Sequence, residues 1–445
     1  MSDWDKLMKF RILKYVLLLA AFLLAGCRWT GNSRGPTPPQ VTPTLAGPVI
    51  VPTIAAVAPS AIPATAVSPT STPNEETVEP GITATAVAAE AVVANEPSRI
   101  EFPAGATTGT YTGNLDPYSA RQYIFWAQAG QMVHITLHST QESAGFSFYG
   151  IVDGQPLKRV ENEVATWDDM LRFTQDFVLT VQTREFAEEY TLTLTIEPLP
   201  GATDLEIWPI VDASTGYIVG GTDNAGNWLP AEAALAPLDA GLLMQAYDDY
   251  FLQDLVTARV NPQQSPVCAQ PLAAIDGEPE LGEALLISGR WNSMPRLPFY
   301  GVNPEPYVSI VRAELLAAGL VDPVVNIESV TLVDLEGDGI DETIVVAQHV
   351  DVSNPAVAED DYVLVLLRKI VNGAVVNLPL HADFYASAND LTYPSQYALQ
   401  MVRDLNGDGV LDIVLRGERY EGRSLEIFSV DGDNSYLALR ADCQP

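Results

Sequence analysis

An apolar run over residues 15–25 follows a basic stretch that holds Lys6, Lys9, Arg11 and Lys14. The run is shorter than the ~20 residues that a membrane-spanning helix needs. Its length and its positive flank fit the apolar region of an export signal, assigned to residues 1–26. Hydrophobic periodicity then disappears. Residues 27–98 are dominated by Pro, Thr, Ala, Val and Ser, as in Pro36-Thr37-Pro38-Pro39, and aromatic residues stop at Trp29. Proline at this density interrupts both helices and sheet ladders. The stretch therefore reads as a disordered, partly extended linker, with a short helix over 88–95 as its one expected element. As a coil it would span about 45–50 Å, and fully extended more than about 200 Å.

From Arg99 the pattern changes to period two. Gly and Thr punctuate 103–113, and alternating segments follow at 123–126, 132–137, 146–150, 177–181 and 190–196. Turn signals at Ala129-Gly130-Gln131 and Asp153-Gly154 separate them. Short alternating strands between turns predict a β-sandwich over 99–200. Pro198-Leu199-Pro200-Gly201 ends it. Beyond, apolar runs at 217–221, 242–247 and 285–288 read as strands. Residues 306–320 read as a helix with Tyr307, Ile310, Val311, Leu315 and Ala318 on one face and Gly319 near its end. The fold class expected is mainly β: a jelly-roll-like sandwich, then a mostly β, α+β domain over 201–445.

That last region contains an internal repeat. Val330-Thr331-Leu332-Val333 leads into Asp334-Leu335-Glu336-Gly337-Asp338-Gly339-Ile340-Asp341-Glu342 and then a strand. Leu399-Gln400-Met401-Val402 leads into Asp404-Leu405-Asn406-Gly407-Asp408-Gly409-Val410-Leu411-Asp412 and another strand. Hairpin turns are expected at Asn372-Gly373 and near Asp431-Gly432. Oxygen side chains at loop positions one, three and five converge because glycine at six lets the backbone curl. Asp334, Glu336 and Asp338 fill these positions in the first copy, and Asp404, Asn406 and Asp408 in the second. The carbonyl of Ile340 or Val410 and the acid at position nine, Glu342 or Asp412, complete a hard-oxygen shell suited to Ca²⁺. Position twelve is Val345 or Leu415 inside a strand, which argues against a helix-flanked calcium loop. Two acidic turns without an ion are the alternative.

Charge narrows the partners. The 445 residues carry 57 Asp and Glu against 23 Lys and Arg, a formal net charge of −34. Nucleic acid, which needs a basic surface, is excluded as a partner. Anionic headgroups are repelled too, so membrane attachment must come from an anchor.

Three resemblances sharpen this. Leu24-Ala25-Gly26-Cys27 resembles the lipobox of bacterial lipoproteins, which implies cleavage before Cys27 and its lipidation. Arg28 in place of the aspartate that signals inner-membrane retention implies the outer membrane where a cell has two. A lipidated Cys27 leaves Cys268 and Cys443 as an even pair, able to form a disulfide in an oxidising compartment. Tyr123, Ala129-Gly130-Gln131, Asp176-Phe177 and Tyr190-Thr191-Leu192-Thr193-Leu194 resemble the bacterial pre-peptidase C-terminal domain. That likeness implies a non-catalytic accessory sandwich. The two acidic loops with their flanking strands are similar to FG-GAP-type calcium repeats, in which the carboxylates bind a fold-stabilising calcium. Two copies fall short of the number a full propeller needs, and Glu336 is longer than the usual Asp or Asn.

Motifs for catalysis are missing. No His-Glu-x-x-His, Gly-x-Ser-x-Gly or phosphate loop occurs. Of the four histidines, His134 and His138 share a strand face without a visible third ligand, and His349 and His381 have no evident partners. Paired acids such as Asp248-Asp249 and Asp360-Asp361 read as solvated surface. The expectation is a calcium-stabilised binding module for protein or glycan, exported and held to the membrane through Cys27. An envelope hydrolase with a site within 201–300 and a purely structural envelope component are the alternatives.

Overall fold

The computed structural model describes residues 86–88, 96–161, 164–262, 268–277, 279–389, 392–420 and 422–443. The export signal, Cys27, most of the linker and nearly all of the helix expected over 88–95 lie outside them.

The sandwich is built from β1 (Ala86–Ala88), β2 (Ser98–Arg99), β3 (Thr108–Leu115), β4 (Ala120–Ala127), β5 (Met132–Ser139), β6 (Gly145–Gly150), β7 (Pro156–Lys158), β8 (Thr166–Met170), β9 (Gln175–Gln182) and β10 (Glu188–Ile196). Its two sheets run β1-β3-β10-β5-β8 and β2-β4-β9-β6-β7. Strands β3 to β10 therefore interleave in jelly-roll order, while β1 and β2 add parallel to the edge strands β3 and β4. Period-two patterning is the cause. Val133, Ile135 and Leu137 of β5 and Tyr190, Leu192 and Leu194 of β10 meet Phe125, Phe146, Phe148, Phe177 and Leu179 from the other sheet in one core. The hydroxyls of Tyr123 and Tyr190, one from each sheet, pair at 2.7 Å inside it.

The glycine-rich segment expected as loop is strand β3, which pairs along its whole length with β10. Its glycines make room for aromatic rings. A Cβ at Gly109 would lie 2.5 Å from the Tyr111 hydroxyl, and one at Gly113 would lie 2.6 Å from that of Tyr190.

The C-terminal region contains three antiparallel sheets. The first comprises β11 (Ile207–Asp212), β12 (Ile218–Asp223), β13 (Trp228–Leu229), β14 (Leu242–Tyr247), β15 (Leu252–Val260), β16 (Ala273–Ile275) and β17 (Leu285–Ile287), ordered β13-β12-β11-β17-β14-β15-β16. Helix α1 (Val308–Ala317) follows a 3-10 turn over Glu305–Tyr307, so the expected helix starts as two segments. Gly319, at φ +96°, ends it, and the amide of Leu320 donates back to the Leu315 carbonyl. The repeat then forms two four-stranded meanders. These are β18 (Ile327–Val333), β19 (Glu342–His349), β20 (Asp361–Val371) and β21 (Ala374–Tyr385), then β22 (Ser395–Arg403), β23 (Asp412–Arg419), β24 (Gly422–Asp431) and β25 (Asn434–Asp442).

These sheets stack face to face. Val211, Ile218, Met244 and Leu286 pack under the short helical turns at Ala231–Ala234 and Ala236–Leu238. The opposite face, with Ile210, Val219 and Leu285, meets Met401, Val414 and Ile427 of the second meander. That meander's other face, with Ile413, Leu415 and Phe428, packs on Ile344, Val346 and Val365 of the first. The first meander buries its outer face, Val345, Tyr362 and Leu364, against Val311 and Leu315 of α1. A disulfide joins Cys268 to Cys443 with the Cα atoms 5.2 Å apart. Among the described residues no helix is long and apolar enough to cross a membrane.

Candidate cation site

Each acidic loop connects the first two strands of its meander, where chain direction reverses between two buried strands. The loops lie side by side: the amide of Leu411 donates to the carbonyl of Leu335 at 2.9 Å. Residues 290–299 lace across both. The Arg296 guanidinium donates to the carbonyls of Asp334, Leu335 and Gly409 at 2.6, 2.7 and 2.8 Å. The Trp291 indole donates to the Asp404 carbonyl at 2.9 Å, and its ring covers Gly407, where a Cβ would lie 3.0 Å from Cδ2.

Inside the second loop Asp404 organises the backbone. Its Oδ1 accepts the amide of Gly407 at 2.6 Å and its Oδ2 that of Gly409 at 3.0 Å. Positive φ at Gly407 and Gly409, +81° and +87°, aims those amides inward. Asp408 accepts the Val410 amide through Oδ1 and the Asn406 side-chain amide through Oδ2. Asp412, at position nine, is fully buried. Its Oδ2 accepts the amide of Leu405 at 2.9 Å, but its Oδ1 is buried with no hydrogen bond within 3.5 Å, and the Ser429 hydroxyl gives the carboxyl only a weaker contact.

Burial pushes the Asp412 carboxyl well above the ordinary carboxylate range. The Leu405 amide and the Ser429 hydroxyl pull the other way, and Asp408 and Asp404 add repulsion. Burial likewise raises Asp404 to about 6, against the pull of the Gly407 and Gly409 amides. Among the described residues no Lys or Arg forms an ion pair with Asp404, Asp408 or Asp412. An unpaired buried carboxylate oxygen beside two further carboxylates is costly unless a cation joins it. The donor set, three carboxylates and an amide, is hard oxygen.

The first loop repeats the backbone pattern. Asp334 accepts the amides of Gly337, Asp338 and Gly339, and Glu342 accepts that of Leu335 at 2.9 Å. It differs at position three, where Glu336 pairs with the Lys369 ammonium at 2.8 Å. Among the described residues no cluster of three His, Cys, Asp or Glu side chains stands in metal-binding geometry in either loop or elsewhere.

The other sequence candidates separate. His134 bridges Asp168 and Glu197, each at 3.0 Å, and these carboxylates raise its pKa, Asp168 most. His349 and His381, expected to lack partners, pair with Asp361 and Asp383 at 3.0 Å. The paired acids, expected as solvated surface, differ: Asp361 is buried, and Asp248 and Asp360 cap loops. Asp248 accepts the amides of Tyr250 and Phe251, and Asp360 those of Val321 and Asp322. An open recess of about 560 Å³ beside His349 has a mixed lining, with Glu328, Gln348 and Asp361 beside Val350, Ala356 and Val357. Sequence reasoning missed Trp291, Arg296, Lys369 and Ser429. A lysine inside the apolar strand β20 was the one readable signal among them.

No family model matches the chain, and no curated protein matches it. Solved structures with some likeness include periplasmic inhibitors of g-type lysozyme. The PliG of Aeromonas hydrophila is 15% identical, with 26% of this chain and all of that one aligned at a TM-score of 0.21. The PliG of Salmonella Typhimurium is 23% identical over 23% of this chain and all of that one, at a TM-score of 0.19. Scores of this size carry no functional argument.

Proposed function

We propose that the protein is an exported envelope lipoprotein, anchored through Cys27, that presents a binding module for protein or glycan on a long leash. A Ca²⁺ ion in the second acidic loop stabilises its C-terminal stack. Asp404, Asn406, Asp408 and Asp412 would hold the ion, with the Val410 carbonyl as a further oxygen. The observation that carries the calcium reading is the buried Asp412 Oδ1 without a partner. Extracellular calcium modules work at about 10⁻⁴–10⁻³ M, so a weak site outside the cytoplasm suffices. The ion closes the turn between β22 and β23 and thereby fixes the surface around Trp291.

Titration calorimetry and thermal melting with Ca²⁺ or chelator test this. The expected result is Ca²⁺ uptake and a raised melting temperature, both lost in Asp412→Asn. Without calcium the variant should melt at or above the wild type, because a buried unpaired charge is gone. No heat of binding and no melting shift would refute the site. The anchor is tested separately: Cys27→Ala should move the protein from the membrane to the soluble fraction. Peptide and glycan arrays probed with and without Ca²⁺ test the binding role.

A further inference from the structure

The two loops share spacing but differ at one cross-strand position. In the first meander Thr343 pairs with Arg368, and in the second Ile413 pairs with Phe428. One step along each ladder, the position-nine acid Glu342 therefore lies across from Lys369, and Asp412 across from Ser429. Lys369 is buried, its side chain 2% exposed, on a strand that otherwise faces two apolar cores. Its ammonium donates to Glu336 at 2.8 Å and to the carbonyl of Gly432, in the hairpin turn of the second meander. Burial raises the Glu342 carboxyl above its ordinary range, and the Leu335 amide and the Lys369 charge work against that rise. Ser429 supplies only a hydroxyl, and the acid across from it keeps a buried oxygen unpaired.

We infer that the first loop carries its own cation. The Lys369 ammonium fills the place that a metal ion takes in the second loop, so the chain binds one calcium ion, not two. A lysine tethered to β20 neutralises Glu336 and sets its charge beside Glu342 without any ligand from solution, and its bond to Gly432 ties the two meanders together. The serine at the same place in the second meander leaves that loop dependent on calcium. The count of one rests on the calcium reading of the second loop; the role of Lys369 does not.

Native mass spectrometry and calorimetry with Ca²⁺ on the full chain test this. Wild type should take one ion, Lys369→Ser two, Asp412→Asn none, and Lys369→Ser with Asp412→Asn one. If wild type takes none while Lys369→Ser takes one, the second-loop reading fails and the lysine inference stands. Two ions in wild type, or the same number in wild type and Lys369→Ser, would overturn it. Should the serine variant fail to fold, Lys369→Met keeps the apolar stem and removes the charge. Its melting temperature should then rise more with Ca²⁺ than that of wild type, and an equal rise would count against the inference.

Discussion

Glu188 and Asp412 are both buried carboxylates, and they meet the cost of burial in opposite ways. Glu188 accepts hydrogen bonds from the Thr140 hydroxyl, the Gln141 amide, and the amide and hydroxyl of Ser143. Burial works to raise its pKa, but these bonds outweigh it and hold the group below the ordinary range. A carboxylate whose folded pKa is lowered contributes stability above its unfolded value near 4.5, and that stability is lost as pH falls through the folded pKa. Glu188→Gln places an amide against these donors and should cost about 1–3 kcal/mol at neutral pH. Urea midpoints of the two proteins should differ at pH 7 and converge toward pH 3; a constant gap would show that the charge is not responsible. Asp412 has no such set of donors, so burial outweighs the Leu405 amide and the Ser429 hydroxyl and holds its pKa well above the ordinary range. Sequence spacing picked out Asp412 but could not separate it from Glu342, because the distinction lies in Lys369 and Ser429, 27 and 17 residues downstream and across a ladder.

At the scale of elements, local chemistry was legible where a single residue dictates the backbone. Asn372-Gly373 joins β20 to β21 with φ of +52° and +78°, the left-handed pair of a type I′ turn. Gly373→Val should cost on the order of 1–2 kcal/mol, read as a lower denaturation midpoint, because a side chain there opposes the left-handed conformation. An unchanged midpoint would mean that the turn does not set the hairpin. Strands with bulky alternation, β5 and β10 above all, were equally legible, since the apolar face alone names the core. Strand β3 was not. Its Gly109 and Gly113 look like punctuation, yet they are the small partners that let Tyr111 and Tyr190 lie flat on the sheet. Local pattern cannot tell a glycine that turns the chain from one that receives a ring. The helix shows an intermediate case: Gly319 marked its end, while Pro304 and Pro306 gave a 3-10 turn before α1.

Over the whole molecule, the repeat visible in sequence accounts for two sheets of a three-sheet stack. The third, β11 to β17, lacks the repeated acidic nonapeptide and most of its strands are short, so its sequence did not announce that it stacks on its neighbours. What was legible at long range was the cysteine arithmetic. Cys268 precedes β16 at the edge of the seven-stranded sheet, and Cys443 follows β25 at the edge of the second meander. The bridge thus pins the edges of two sheets whose faces already share a core, and it closes a loop with a separation of 175 residues. Cross-linking restricts the unfolded chain, which for native disulfides is worth roughly 2–5 kcal/mol. The Cys268→Ser, Cys443→Ser double variant should therefore melt several degrees lower, and a reductant should lower the wild type to the same temperature without affecting the variant. Calcium should still raise the melting temperature of the reduced protein, because the second loop and the bridge constrain opposite ends of the meander. Loss of the calcium effect on reduction would show instead that the bridge holds the loop in shape.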